Sequence, residues 1–175
     1  MRLEKNLIDF GKKLPEYVFV DKCKEAYFVE RSVLYSYDLF LRILKAEAAS
    51  GISGVSICFW SVSNDDFEEI EKINVDFECL KDAWGALTES YNRLTLEGGD
   101  GRLLIYPGDY GWVIYEEVLE EVGVLAIFND GELMGVGLTE GDVVSNKYLI
   151  EQSAAGVFKG EYVDELISSY RCSSI

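Results

Sequence analysis

The reactive side chains of this chain are mostly carboxylates, because 32 of its 175 residues are Asp or Glu and none is His. Without histidine, Ser-His-Asp and Cys-His nucleophile systems are excluded, as is any zinc site with a His ligand. The four cysteines show no C-x-x-C spacing, which favours unpaired thiols in a cytoplasmic protein. Catalysis would need carboxylates, Tyr, Lys, Arg, thiols or a hard metal ion. We predict no catalytic residue, no metal ligand and no cofactor.

The clearest candidate surface is encoded by residues 110–123, YGWVIYEEVLEEVG. On a helical wheel one side holds Tyr115, Val118, Leu119 and Val122, and the other side holds Glu116, Glu117, Glu120 and Glu121. Like charges four residues apart each destabilise a helix by a few tenths of a kcal/mol, roughly. The pattern therefore predicts a surface meant for cations, flanked by a carboxylate and two possible aromatic anchors: Asp109, Tyr110 and Trp112.

Three other interpretations of residues 110–123 stay open. The glutamates would also suit a merely solvated helix, and two of them could form a catalytic carboxylate pair. Alternatively, the segment is a strand as far as Tyr115, and the acids start a shorter helix.

A second acidic run, SNDDFEEIEK, spans residues 63–72. Acids in a first helical turn are stabilised by the macrodipole, so the run predicts the solvated start of a helix. The alternative is a docking face, which enlarges the negative surface if the fold brings the two acidic runs together. The residues concerned are Asp65, Asp66, Glu68 and Glu69. An EF-hand loop is excluded, because it needs Gly at its sixth position, where this run has Ile70 or Glu71.

The net charge of −16 is unevenly distributed. Residues 1–50 are nearly neutral, with 9 Lys or Arg and 8 Asp or Glu, whereas residues 51–175 hold 7 and 24. Such a field repels nucleic acid and accelerates encounter with basic proteins. We therefore expect a basic protein partner, such as a toxin or a nucleic-acid-binding protein, and no direct binding of nucleic acid. Acidity that only maintains solubility is the alternative.

The order of the predicted helices and strands that position these residues indicates one α+β domain, with helices packed on a mainly antiparallel sheet of about 4–6 strands. Apolar periodicity predicts helices at 3–14, 37–48, 76–94, 142–154 and 160–171. Strands are predicted at 17–20, 26–30, 54–62 and 102–106. A hairpin is predicted over 124–138, with its turn at Asn129-Asp130-Gly131. The near-neutral residues 1–50 are expected to be largely helical, and the strongly acidic residues 51–175 to form an α+β region of the same domain.

These observations predict an acidic, immunity-type inhibitor that neutralises a basic effector, such as a toxic nuclease, by masking its surface. A variant of this hypothesis is a nucleic-acid mimic. The alternatives are a hydrolase or metal-dependent enzyme that uses paired carboxylates, and a non-catalytic accessory or scaffold domain. No membrane association is expected, because the longest uncharged stretch, residues 48–64, is shorter and more polar than a membrane span. The oligomeric state stays open.

Overall fold

The computed structural model describes residues 7–30, 32–52, 54–63, 66–96, 100–118 and 122–170. Its strands are β1 (Glu25–Glu30), β2 (Val55–Ser63), β3 (Asp66–Val75), β4 (Asp100–Pro107), β5 (Trp112–Glu117) and β6 (Val122–Ile127). Its α-helices are α1 (Tyr37–Ala49), α2 (Leu80–Leu96), α3 (Asn146–Ala154) and α4 (Gly160–Tyr170). Short 3-10 helices cover Val33–Tyr35, Leu133–Val136 and Glu140–Asp142.

The six strands form one antiparallel sheet in the order β1-β6-β5-β4-β2-β3. The α+β architecture predicted from the sequence is therefore confirmed. Strands β5 and β4 lie at the centre of the sheet, whereas β1 and β3 lie at its two ends.

The sheet is covered on both faces, so its central strands are apolar on both sides. On one face, Phe40 and Ile43 of α1 and Leu87 of α2 pack against strand residues that include Ile57 and Ile114. On the other face, α3, α4 and the segment 7–24 cover residues that include Trp60, Leu104, Val113, Tyr115 and Val124. We call these the α1/α2 face and the α3/α4 face.

The predicted N-terminal helix is wrong over residues 7–14. This segment runs back on itself, with Ile8 bridged to Phe19 and the amide of Asp9 donating to the carbonyl of Val18 at 2.8 Å. Its apolar residues recur every three or four positions, but Ile8 and Leu14 are buried in the cluster on the α3/α4 face without forming a helix. The near-neutral region is therefore less helical than predicted.

The predicted hairpin at 124–138 is half correct. Strand β6 ends at Ile127, and the chain then forms the 3-10 helix Leu133–Val136 where the returning strand was expected. The following Gly137 has a φ of 81° and lies against α1, where a Cβ atom would be 2.5 Å from the carbonyl oxygen of Arg42. The absence of a Cβ atom at Gly137 allows the chain after the 3-10 helix to lie this close to α1.

A Gly137→Ala variant should lose roughly 2–4 kcal/mol of unfolding free energy, because both the positive φ and the close approach become strained. Denaturant unfolding would measure this. Gly135→Ala is the matched control, since a Cβ atom there meets nothing within 4 Å. Equal stability of the two variants would contradict the packing described for Gly137.

Candidate partner-binding surface

Residues 112–117 form strand β5, and not the helix on which the acidic face was predicted. The strand pairs with β4 on one side and β6 on the other. Trp112 and Ile114 point to the α1/α2 face, whereas Val113 and Tyr115 point to the α3/α4 face. A strand alternates its side chains, so Glu116 and Glu117 lie on opposite faces. The prediction that four glutamates share one exposed side is therefore wrong for these two, and Glu120 and Glu121 lie outside the described residues.

Glu116 is buried on the α1/α2 face, with 4% of its surface exposed. Its Oε1 accepts a hydrogen bond from the amide of Val33 at 3.2 Å, and the Ser32 side chain is hydrogen-bonded to the same carboxyl. Burial disfavours the charged form and raises the pKa of Glu116 to about 7, despite these hydrogen bonds. The side chain anchors the loop after β1 and is not available to a partner.

Glu117 is buried on the α3/α4 face and serves as a second anchor. Its Oε1 accepts hydrogen bonds from the amide of Leu14 at 2.7 Å and from the hydroxyl of Tyr115 at 2.9 Å. Directly opposite on β4 lies Arg102, whose guanidinium donates to the carbonyl of Lys12 at 3.0 Å. Two buried charged residues from adjacent strands thus hold the segment 7–24 on the sheet.

The three residues predicted beside the acidic face have different surroundings. Asp109 is exposed and accepts a hydrogen bond from the amide of Gly111 at 3.0 Å. Tyr110 is half-buried and stacks on Tyr106, with ring centroids 5.3 Å apart. Trp112 is buried and donates to the carboxyl of Glu47 at 2.6 Å. Trp112 is therefore not an exposed anchor, and the partner-binding role of Asp109 and Tyr110 stays a prediction.

The second acidic run lies in strand β3, so the predicted helix start is wrong. Backbone pairing runs from Ser63↔Asp66 to Val55↔Val75. Asp65 and the side chain of Asp66 lie outside the described residues. The stretch IEKINV is rich in β-branched residues, which favour strands. That signal was present in the sequence, but the acids before it fitted the start of a helix equally well.

A β-bulge in β3 distributes its carboxylates over both faces of the sheet. Phe59 pairs with Glu71 and Trp60 with Glu69, so Ile70 is the extra residue. Glu71 lies on the α1/α2 face, where it accepts hydrogen bonds from Ser90 at 2.6 Å and from Arg93 at 3.0 Å, both on α2. Without the bulge, Glu69 would share that face, since strand residues two apart point the same way.

The exposed part of β3 is acidic, and the strand is held on the sheet by its pairing with β2 and by a hydrogen bond from Lys72. Glu68 is exposed opposite Ser61 on the α1/α2 face, and Glu69 is half-buried opposite Trp60 on the other. Lys72 donates to the hydroxyl of the buried Tyr106 at 2.8 Å and lies 5.3 Å from its ring centroid. Among the described residues, β3 pairs with β2 alone, and its outer edge carries no further strand.

Within the described ranges, no group of three or more His, Cys, Asp or Glu residues is arranged to hold a metal ion. The same ranges contain no helix with the length and apolar character of a membrane span. Fold and surface together define an α+β domain with an acidic outer strand. Compared with known proteins, the chain matches no family model, no curated protein and no solved structure.

Proposed function

We propose that this protein is an acidic, immunity-type inhibitor that binds a basic effector protein and masks its surface. The observation that carries the proposal is the acidic outer strand β3, a ten-residue strand with the exposed Glu68 on one face and the half-buried Glu69 on the other. The chain-wide charge of −16 supports it, because the excess of acids lies in residues 51–175.

An outer strand presents unpaired backbone N–H and C=O groups that an extended segment of another protein pairs with. Such pairing places the partner's side chains alternately on the two faces of the sheet. Glu68 and Glu69 lie on opposite faces of β3, so Lys or Arg residues at successive positions of the added strand meet a carboxylate on either side. Charge complementarity then sets the preference for a basic partner.

This surface replaces the part of the predicted face formed by Glu116 and Glu117, whereas Glu120 and Glu121 lie outside the described residues. Because Glu116 and Glu117 are buried, their replacement would act through folding and not through direct contact with a partner. Binding by β3 should weaken steeply as salt rises, since screening shortens the field to about 8 Å at physiological ionic strength.

The proposal is tested with a Glu68→Lys/Glu69→Lys variant immobilised beside the native protein. Both are exposed to native-host extract at low salt, and bound proteins are eluted with high salt. We expect a basic protein on the native chain and at least a tenfold loss on the variant, about 1.4 kcal/mol or more of binding free energy.

The matched control is Asp164→Lys/Glu165→Lys, which changes the net charge equally on the exposed side of α4. Helix α4 packs near β1, where Tyr170 contacts Phe28, at the other end of the sheet from β3. Equal loss of binding in both variants would show that only bulk charge matters and would refute the role of β3. Denaturant unfolding of each variant establishes that the loss does not reflect misfolding, and Glu68→Gln/Glu69→Gln serves as a milder second variant.

A further inference from the structure

A groove lies beside β1, at the opposite end of the sheet from β3, and has no role in the function proposed above. Its cavity volume is about 620 Å³, and its walls come from β1 and from residues 132–141. Pockets of roughly 300–1,000 Å³ are typical of small organic ligands. The cavity is therefore much larger than a metal ion requires.

One wall of the groove is held rigidly. Arg42 on α1 makes a two-pronged ion pair with Asp142, at 3.0 and 2.7 Å. The same carboxylate accepts hydrogen bonds from the amide and the hydroxyl of Thr139, at 2.8 and 2.7 Å. Together with the contact of Gly137 against α1, these bonds fix the segment that forms the wall before any ligand arrives.

The lining carries three carboxylates from separate segments of the chain: Glu25, Glu132 and Glu140. Among the described residues that line the groove, none is Lys or Arg. Lys24, which adjoins Glu25 in the sequence, is engaged with Asp130, and Arg42 is engaged with Asp142. The potential inside the groove is therefore negative, and it favours a cation.

The rest of the lining is apolar and suits an aliphatic stem. Leu133 is buried beneath the groove, whereas Met134 is 77% exposed at its wall. Tyr27 contributes an aromatic ring, and its hydroxyl donates to Oε2 of Glu25 at 2.6 Å, which orients that carboxylate. Methionine and tyrosine pack well against methylene groups and organic cations. A strongly hydrated inorganic ion gains nothing from such walls.

We infer that this groove binds a linear alkyl polyamine, with its ammonium groups at the carboxylates and its methylene chain against Tyr27, Leu133 and Met134. Multiple ammonium groups match the three acids from separate segments. A single-charged amine satisfies one of them, and a small divalent metal ion lacks the stem that the apolar wall requires.

Titration calorimetry of the full chain with spermidine tests the inference, with butylamine and Mg²⁺ as comparison ligands at equal ionic strength. We expect sub-millimolar binding of spermidine and at least tenfold weaker binding of the other two. A Glu25→Gln/Glu140→Gln variant should weaken spermidine binding at least tenfold. Met134→Ser, at an exposed position, should weaken spermidine several-fold without changing the response to Mg²⁺.

The control is Asp164→Asn/Glu165→Gln, which removes the same charge from α4. Equal weakening by this control would mean that spermidine follows the bulk charge and would overturn the inference. So would binding of Mg²⁺ as tight as that of spermidine, or no heat of binding at millimolar spermidine. None of these outcomes bears on β3, because variants of β3 are not used.

Discussion

The difference in unfolding free energy between a Glu116→Gln variant and the native protein should shift by about 2–3 kcal/mol in favour of the variant as the pH rises from 5 to 8. The ordinary pKa of Glu is 4.5, and burial raises that of Glu116 to about 7. The folded protein therefore retains a proton that the unfolded chain releases between these values. Stability from this group is complete below pH 4.5 and is lost as the pH rises through 7. Gln carries no charge at any pH, so the variant does not have this loss.

Among the described residues, the groups that face the carboxyl of Glu116 carry no positive charge that would lower its pKa. The donors facing its carboxyl are the Ser32 side chain and the Val33 amide, both neutral. From α2 it is faced by Tyr91, whose pKa is raised by its own burial and also by the charge of Glu116. Tyr35 lies against Tyr91, with ring centroids 5.3 Å apart. Ser32 and Val33 supply hydrogen bonds, and none of these four residues supplies a positive charge.

Denaturant unfolding at pH 5, 6, 7 and 8 would measure the difference between the native protein and the variant. Glu165→Gln on the exposed side of α4 is the control, and its difference from the native protein should stay within about 0.5 kcal/mol at every pH. A Glu116→Gln difference that does not vary with pH would contradict the raised pKa.

A Glu117→Ala variant should lose about 3–5 kcal/mol of unfolding free energy at neutral pH. The substitution leaves the Leu14 amide and the Tyr115 hydroxyl without their buried acceptor. It also leaves the buried Arg102 facing a methyl group across the β4–β5 pair. Uncompensated buried polar and charged groups are among the largest single causes of destabilisation.

In the Glu117→Ala variant, the segment 7–24 should detach from the sheet before the protein unfolds globally. Hydrogen exchange would show this as faster exchange of the Leu14 and Val20 amides, while amides of the central strands stay protected. Tyr115→Phe, which removes only one donor, should cost about 1 kcal/mol. If Glu117→Ala were no more destabilising than Tyr115→Phe, the anchoring role of Glu117 would be wrong.

Because Glu116 and Glu117 are buried, fewer carboxylates lie on the surface to attract a basic partner. The formal charge of −16 counts Glu116 and Glu117, yet neither presents its carboxylate on the surface. The surface charge that a partner meets therefore depends more on residues such as Glu68 and Glu69. This shifts the proposed contact from Glu116 and Glu117 to β3.

The sequence alone predicts the architecture well wherever an element has its own periodicity. Helices α1, α2, α3 and α4 lie within a few residues of the predicted ranges, as do strands β1, β2 and β4. In α2, apolar residues recur at steps of three and four over several turns, and local geometry then requires a helix that buries that stripe. The absence of histidine likewise excludes several catalytic systems without any coordinates.

The positions of the acids could be decided only by the tertiary structure. Helical and strand patterns both fit YEEVLEEV and DDFEEIEK over such short distances, and the outcome depends on strands that pair across long separations. Glu117 bonds to Leu14, 103 residues away in the chain, and β2 lies between β3 and β4, two strands separated by helix α2. The sequence determined that the protein is acidic, lacks histidine and folds as an α+β domain. Non-local pairing decided which carboxylates are buried as anchors and which lie on the outer strand, because a strand's environment is set by its neighbours and not by its own residues.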